Sequence, residues 1–148
     1  MTPDSAHSAE QLSREMRYER SLTFTAALVE SFANLVNDHA PVHFDPSFAQ
    51  ERGFNDRIVH GFFVASVFSG MLGEYLPGPN SVINALSLKI HRPVFVKDTI
   101  TFTITVEQIS SAVNAVVLAL VATDDSGNRV LSGKATCSFP STGSKIDD

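Results

Sequence analysis

Apolar residues along this chain change their spacing once, from helical to strand-like, across Leu76-Pro77-Gly78-Pro79. Upstream, Phe24, Ala27, Leu28, Phe32 and Leu35 recur at helical intervals, and Thr23 is placed to cap a helix running through roughly Asn34. Asp45-Pro46 pairs an N-cap residue with a first-turn proline, which predicts a short second helix ending near Gly53. A third helix, over about residues 61–74, is apolar on every side and is stopped by the two prolines. Such a helix is stable in water only when other elements wrap it.

Downstream the period is two. One strand is predicted over about residues 82–90. Residues 99–106 alternate Thr with Ile, Phe, Ile and Val, the pattern of a half-buried strand, whereas residues 113–121 are nearly continuously apolar, as in a central strand. Asp124-Asp125-Ser126-Gly127-Asn128 reads as a hairpin turn into a last strand over residues 130–139. Helices followed by antiparallel strands predict an α+β fold in which one sheet wraps the apolar helix.

A length of 148 residues fits one domain with a core of its own. Residues 13–140 are expected to form it, between flexible tails at 1–12 and 141–148. The formal net charge is -5 and the eleven Lys and Arg are scattered, which argues against a nucleic-acid or anionic-membrane partner. A single cysteine, Cys137, excludes an internal disulfide, and its place in a strand-like alternation with Leu131, Gly133, Ala135 and Phe139 makes it small core filler. The start, M-T-P-D-S-A-H-S-A-E, has no basic, apolar leader, so a cytoplasmic location is expected. Residues 58–76 approach the roughly 20 needed to cross a bilayer, but His60, Glu74, two serines and three glycines within them favour a wrapped soluble helix.

The chemistry is concentrated between Asn37 and Phe48, N-D-H-A-P-V-H-F-D-P-S-F, where Asp38 and His43 stand five residues apart around Pro41. Soon after come Val59-His60-Gly61 and the apolar helix. Hydration beside a carbonyl needs a base for water, a proton donor for carbon and hydrogen-bond donors for the charge that develops on oxygen. Asp38, His43 and the Gly61 amide supply these types of group. Imidazole, with a reference pKa of about 6.5, is a base near neutral pH. Gly61 leaves a helix-start N–H open to close approach. Taken singly, Asp38 is a helix terminator, His43 a backbone hydrogen-bonder and His60 a residue that secures the helix entry.

These residues resemble the MaoC-like, (R)-specific enoyl-CoA hydratase family, whose pattern is roughly G-D-x-N-P-x-H-x-D-x-x-[FY]-A, then I-V-H-G, L-P-G and P-V-[FY]-V-G-D. The chain has N-D-H-A-P-V-H-F-D-P-S-F-A from Asn37, R-I-V-H-G from Arg57, L-P-G-P from Leu76 and R-P-V-F-V-K-D from Arg92, covering about residues 23–140. The resemblance implies the hotdog fold and hydration of trans-2-enoyl thioesters to (R)-3-hydroxyacyl thioesters, or the reverse. It implies Asp38 and His43 as the catalytic pair, Gly61 as main-chain donor to the thioester oxygen and Ser69 near the active site; His60 is a further substrate-binding candidate. It implies no metal or redox cofactor, coenzyme A or acyl-carrier protein being part of the substrate, and a homodimer with active sites near the interface. His91, Arg92 and Lys97 are candidates for a coenzyme A phosphate. One departure is Ala40 where the family has Asn, with His39 beside it as a possible substitute. The competing readings are a hotdog thioesterase and a thioester-binding subunit without activity. The former commonly uses a carboxylate on or near the central helix, and residues 62–73 carry none.

Overall fold

The computed structural model describes residues 6–141 and 143. An edge strand, β1 (Arg17–Thr23), precedes three helices, α1 (Ala26–Val36), α2 (Pro46–Glu51) and α3 (Gly61–Glu74), and four more strands follow: β2 (Val82–Ile90), β3 (Thr99–Ser110), β4 (Ala115–Thr123) and β5 (Arg129–Ser138). They form one five-stranded antiparallel sheet in the order β1-β3-β4-β5-β2. The α+β hotdog arrangement expected from the sequence is the one observed, with the sheet curved round α3.

The core lies between that helix and the inner face of the sheet. Val64, Val67, Phe68, Met71 and Leu72 of α3 are buried against Ile100, Phe102, Ile104 and Val106 of β3 and Val116, Leu118, Leu120 and Ala122 of β4. Each fully buried Phe or Leu of this kind contributes about 1.5–3 kcal/mol. Although β4 reads as continuously apolar, its burial alternates, because Ala115, Val117, Ala119 and Val121 take the outer, half-buried face. Cys137 is fully buried, and burial pushes its thiol up to about 11, as suits core filler. At Gly133 a Cβ would fall 1.9 Å from the Ser87 carbonyl, so β2 closes over β5 only where no side chain intervenes. Among the described residues no helix is long and apolar enough to cross a membrane; α3 has 14 residues.

Three expectations need correction. The N-terminal segment expected to be flexible through residue 12 contains a 3-10 turn, Ala9–Gln11, and Ala9 is fully buried with its N–H on Asn114 Oδ1 at 2.8 Å. Residues 1–5, and all of the expected C-terminal tail except Ser141 and Gly143, lie outside the described residues. The first helix is capped by Thr25, whose side chain accepts from Leu28 N–H; Thr23 ends β1 instead. The helix therefore buries Val29 and Ala33 and leaves Leu35 exposed, while Phe24 enters the core from outside the helix. The third correction is β1 itself, a strand with no counterpart in the sequence reading.

Candidate active site

The site is made where two loops are laced together at the N-terminus of α3. Asn37 ends α1 in the left-handed region, φ 58°, which turns the chain sharply so that Asp38 leaves the helix axis. Asp38 N–H still reaches back to the Ala33 carbonyl at 3.0 Å. Pro41 then begins a 3-10 turn, Pro41–His43, which carries His43 inward. Asp45 caps α2 by accepting from Ser47 and Phe48, anchoring the far end of the loop. On the other side, Ile58 N–H bonds the Val42 carbonyl at 3.2 Å, and the Ile58 carbonyl accepts from His43 Nδ1 at 2.7 Å.

That last contact decides the chemistry of His43. A carbonyl only accepts, so Nδ1 carries the proton and Nε2 is left with a lone pair. Burial pushes the His43 imidazole below its usual range, with the nearby His60 acting in the same direction; the Ile58 carbonyl and the Asp38 carboxylate oppose them. His43 thus stands neutral and basic at neutral pH. Its Nε2 lies 4.0 Å from Asp38 Oδ2, too far for a direct hydrogen bond. Asp38 Oδ1 is held by the Ala40 amide at 3.2 Å, and Oδ2 has no hydrogen-bond partner among the described residues, lying 3.9 Å from His60 Nε2 on the imidazole side. Both facing atoms are acceptors. A water donating one hydrogen to each would span the gap and turn its oxygen lone pairs toward a substrate.

Asp38, His43, His60 and Gly61 share a cleft of about 470 Å³ with Phe32, Val36, Phe62 and Ser66. Gly61 is the first residue of α3, and among the described residues nothing accepts its N–H. It also lines two further clefts. One, of about 320 Å³, includes His91, Arg92, Ile58 and Ile90; the other, of about 260 Å³, is almost wholly apolar, with Ala65, Leu88, Ile90 and Leu131.

The geometry sorts the expected site residues. Asp38, His43, His60 and Gly61 come together; Ser69 does not line the cleft within one chain, being eight residues, or about 12 Å of helix, beyond Gly61 on an exposed face. Ser66, not singled out from the sequence, takes that place, with its hydroxyl donating to the Phe63 carbonyl at 2.7 Å. Only its position one turn nearer the helix start distinguishes it from Ser69. His39 does not stand in for the missing amide at Ala40: its ring turns back to Asn34 Oδ1 at 2.9 Å. Lys97 lines none of the three clefts, unlike His91 and Arg92. Asp38, His43 and His60 bring one metal-ligand type of atom each within 4.8 Å of one another. However, His60 Nε2, which faces Asp38, donates to the Asp38 main-chain carbonyl at 3.0 Å and has no lone pair to give a metal there.

Known proteins are similar to this chain along nearly its whole length. The (R)-specific enoyl-CoA hydratase of Aeromonas caviae is 36% identical over 133 residues, 90% of this chain and 99% of that one. The enzyme of the same name from Rhodospirillum rubrum is 35% identical over 121 residues, 82% of this chain and 83% of its own. The solved structure of the A. caviae (R)-hydratase involved in PHA biosynthesis superposes with a TM-score of 0.84, at 35% identity, over 88% of this chain and 99% of that chain. The family model described as a MaoC like domain matches residues 7–126. With the motif segments in order, the hotdog sheet round α3 and the Asp-His cleft at its N-terminus, the chain belongs to the MaoC-like dehydratase family.

Proposed function

We propose that this protein is a hydro-lyase that adds water to a trans-2-enoyl thioester, giving an (R)-3-hydroxyacyl thioester, or runs the reverse dehydration. The observation that carries the proposal is the facing of Asp38 Oδ2 and the bare His43 Nε2 across 4.0 Å, in a cleft that also holds the open Gly61 amide. The thioester oxygen sits on Gly61 N–H, which places C3 of the enoyl group over the shared water. The pair takes a proton from that water as its oxygen attacks C3 and returns a proton to C2, so one molecule of water is consumed and no redox partner is needed. The apolar cleft beside Gly61 takes the acyl tail, and the His91–Arg92 cleft faces the polar end of the thioester carrier.

Loss of the enoyl-thioester absorbance of crotonyl-CoA and longer enoyl-CoA substrates tests the reading. Hydration is expected, with free thiol released only at background. Rapid thiol release without hydration at any chain length would make the protein a thioesterase. Neither reaction would leave a thioester-binding subunit.

We further propose that two chains pair through β2. This edge strand exposes Val82, Ile83, Leu86 and Ile90, and the neighbouring face of α3 exposes Phe62, Ser66, Ser69 and Gly70. A sheet edge with open backbone groups and exposed apolar side chains is a template for strand pairing. Light scattering at micromolar concentration should give twice 16.0 kDa, and Leu86→Lys should lower that mass. A monomer with full hydratase activity would exclude the dimer as the working form.

A further inference from the structure

His60 is the most confined polar side chain of the site, 2% exposed, and its position as N-cap of α3 does not explain it, because the ring makes no capping hydrogen bond. What the ring does contact is the Asp-His pair. Nε2 donates to the main-chain carbonyl of Asp38 at 3.0 Å, and the ring plane stacks on His43 with centroids 3.7 Å apart and 24° between planes. Phe32, at 5.1 Å, and Phe44, at 6.4 Å, close two further sides. Nδ1 is buried and has no partner among the described residues. His60 is therefore held by aromatic packing and makes one directed polar contact, which falls on the residue carrying the carboxylate.

We infer that His60 is a positioning residue: it ties the Asp38 main chain to the start of α3 and supports the His43 ring from beneath, so that the carboxylate and the imidazole keep the separation one water can bridge. This rests on the reading of Asp38 and His43 as the proton-transfer pair. The loop from Asn37 to Ala40 belongs to no helix or strand, and Asp38 would otherwise be held by its own N–H on Ala33 and by the short Ala40-to-Oδ1 turn, both local contacts. The His60 bond spans 22 residues and is the link from that loop to the helix whose Gly61 amide is to meet the same substrate. A misplacement near 1 Å in such a constellation costs about 10²-fold in rate.

Two substitutions divide the role. Gln reaches far enough to keep an N–H near the Nε2 position but loses the flat ring; Phe keeps the ring and loses the donor. His60→Phe is expected to lower kcat by about 10²-fold with KM little changed, and His60→Gln to recover most of that loss. The titratable groups facing His43 are Asp38, on the loop before it, and His60, at the entry to α3; His39 points to Asn34 instead. Burial is the main cause of the lowered His43 pKa, and His60 acts in the same direction, so replacing the His60 imidazole moves the acid limb of kcat/KM, which reports His43, to higher pH in His60→Gln.

Folded His60→Phe with wild-type kcat, a loss confined to KM, or a Gln variant no better than Phe would each overturn the inference. If the Phe variant does not fold, His60→Leu, which also lacks the donor, takes its place, and wild-type kcat, a loss confined to KM, or activity equal to that of His60→Gln rejects the inference. Asp38→Asn, measured alongside, separates the two levels. If it loses turnover while the His60 variants do not, only the positioning role fails; if it retains turnover, the assignment of the pair itself fails.

Discussion

Asp38→Asn and His43→Asn each lower the hydration of crotonyl-CoA by about 10²- to 10⁴-fold, the range expected on losing a positioned acid or base, and the double variant is little worse than either. Both changes respect the local scaffold. Asn at position 38 keeps an oxygen for the Ala40 amide and replaces Oδ2 by a donor, so one water can no longer donate to both sides of the gap. Asn at position 43 keeps an N–H near the Nδ1 position for the Ile58 carbonyl and removes the basic nitrogen. His43→Ala would strip that buried carbonyl of its partner, at about 1–3 kcal/mol, and mix a stability loss with the chemical one. Non-additivity is the sharp element, since two groups acting on one water fail together. Multiplicative losses would mean two separate roles. Because burial lowers the His43 pKa, the neutral base is lost only as pH falls through a value below the usual imidazole range. The acid limb of kcat/KM in wild type is expected on that side, and a limb above the reference of about 6.5 would contradict the buried, neutral state of the ring.

Gly61→Pro should lower kcat by about 10²- to 10³-fold, the usual effect of deleting one oxyanion donor, while leaving the fold intact. Proline suits the first position of a helix, where the missing N–H has no helical partner. The preceding residue, His60, already has φ -54° and ψ 127°, the extended region that proline requires of its predecessor. The ring does meet one obstacle: a Cβ at Gly61 would lie 2.7 Å from Ile90 Cδ1, the end of a side chain able to turn aside. Gly61→Ala imposes the same crowding and retains the N–H. The difference between the Pro and Ala variants, with folding checked by circular dichroism, therefore isolates the donor. Equal activity of the two would remove the amide from the mechanism.

Much of this was legible in the sequence. The bounds of α3, the Asp45-Pro46 start of α2 and the 124–128 turn follow from local signals, a capping pair, a proline stop and a Gly-containing turn, which tertiary contacts do not alter. The strand β1 escaped because it is an edge: Arg17, Glu19 and Arg20 face solvent, and only Tyr18 and Leu22 are half-buried, too few to show a period of two. Thr23 and Thr25 are both capping types two residues apart, so the wrong one shifted the buried face of α1. At the site, the sequence places Asp38 and His43 close along the chain, but nothing in it says that His60 stacks on His43 or that Ser66, rather than Ser69, faces the cleft. Those are facts of loop packing. The plain reading of His43 as a backbone hydrogen-bonder is also true, and it is the bond that leaves Nε2 basic.

The two edges of the sheet set a limit on assembly. On β1, Arg17 pairs with Glu19, Glu19 accepts from Thr103, and Ser21 and Thr23 bond Thr101 and Thr99, so the rim is charged and hydroxyl-rich. The β2 rim exposes Val82, Ile83, Leu86 and Ile90 among Asn84, Ser87 and Lys89, so it is the more apolar of the two. A chain whose adhesive edge meets an identical edge across a two-fold axis has no further adhesive edge to offer. If two copies pair through β2 as proposed, growth by that route would end at two, because the β1 rim left outside is unlike the edge that pairs.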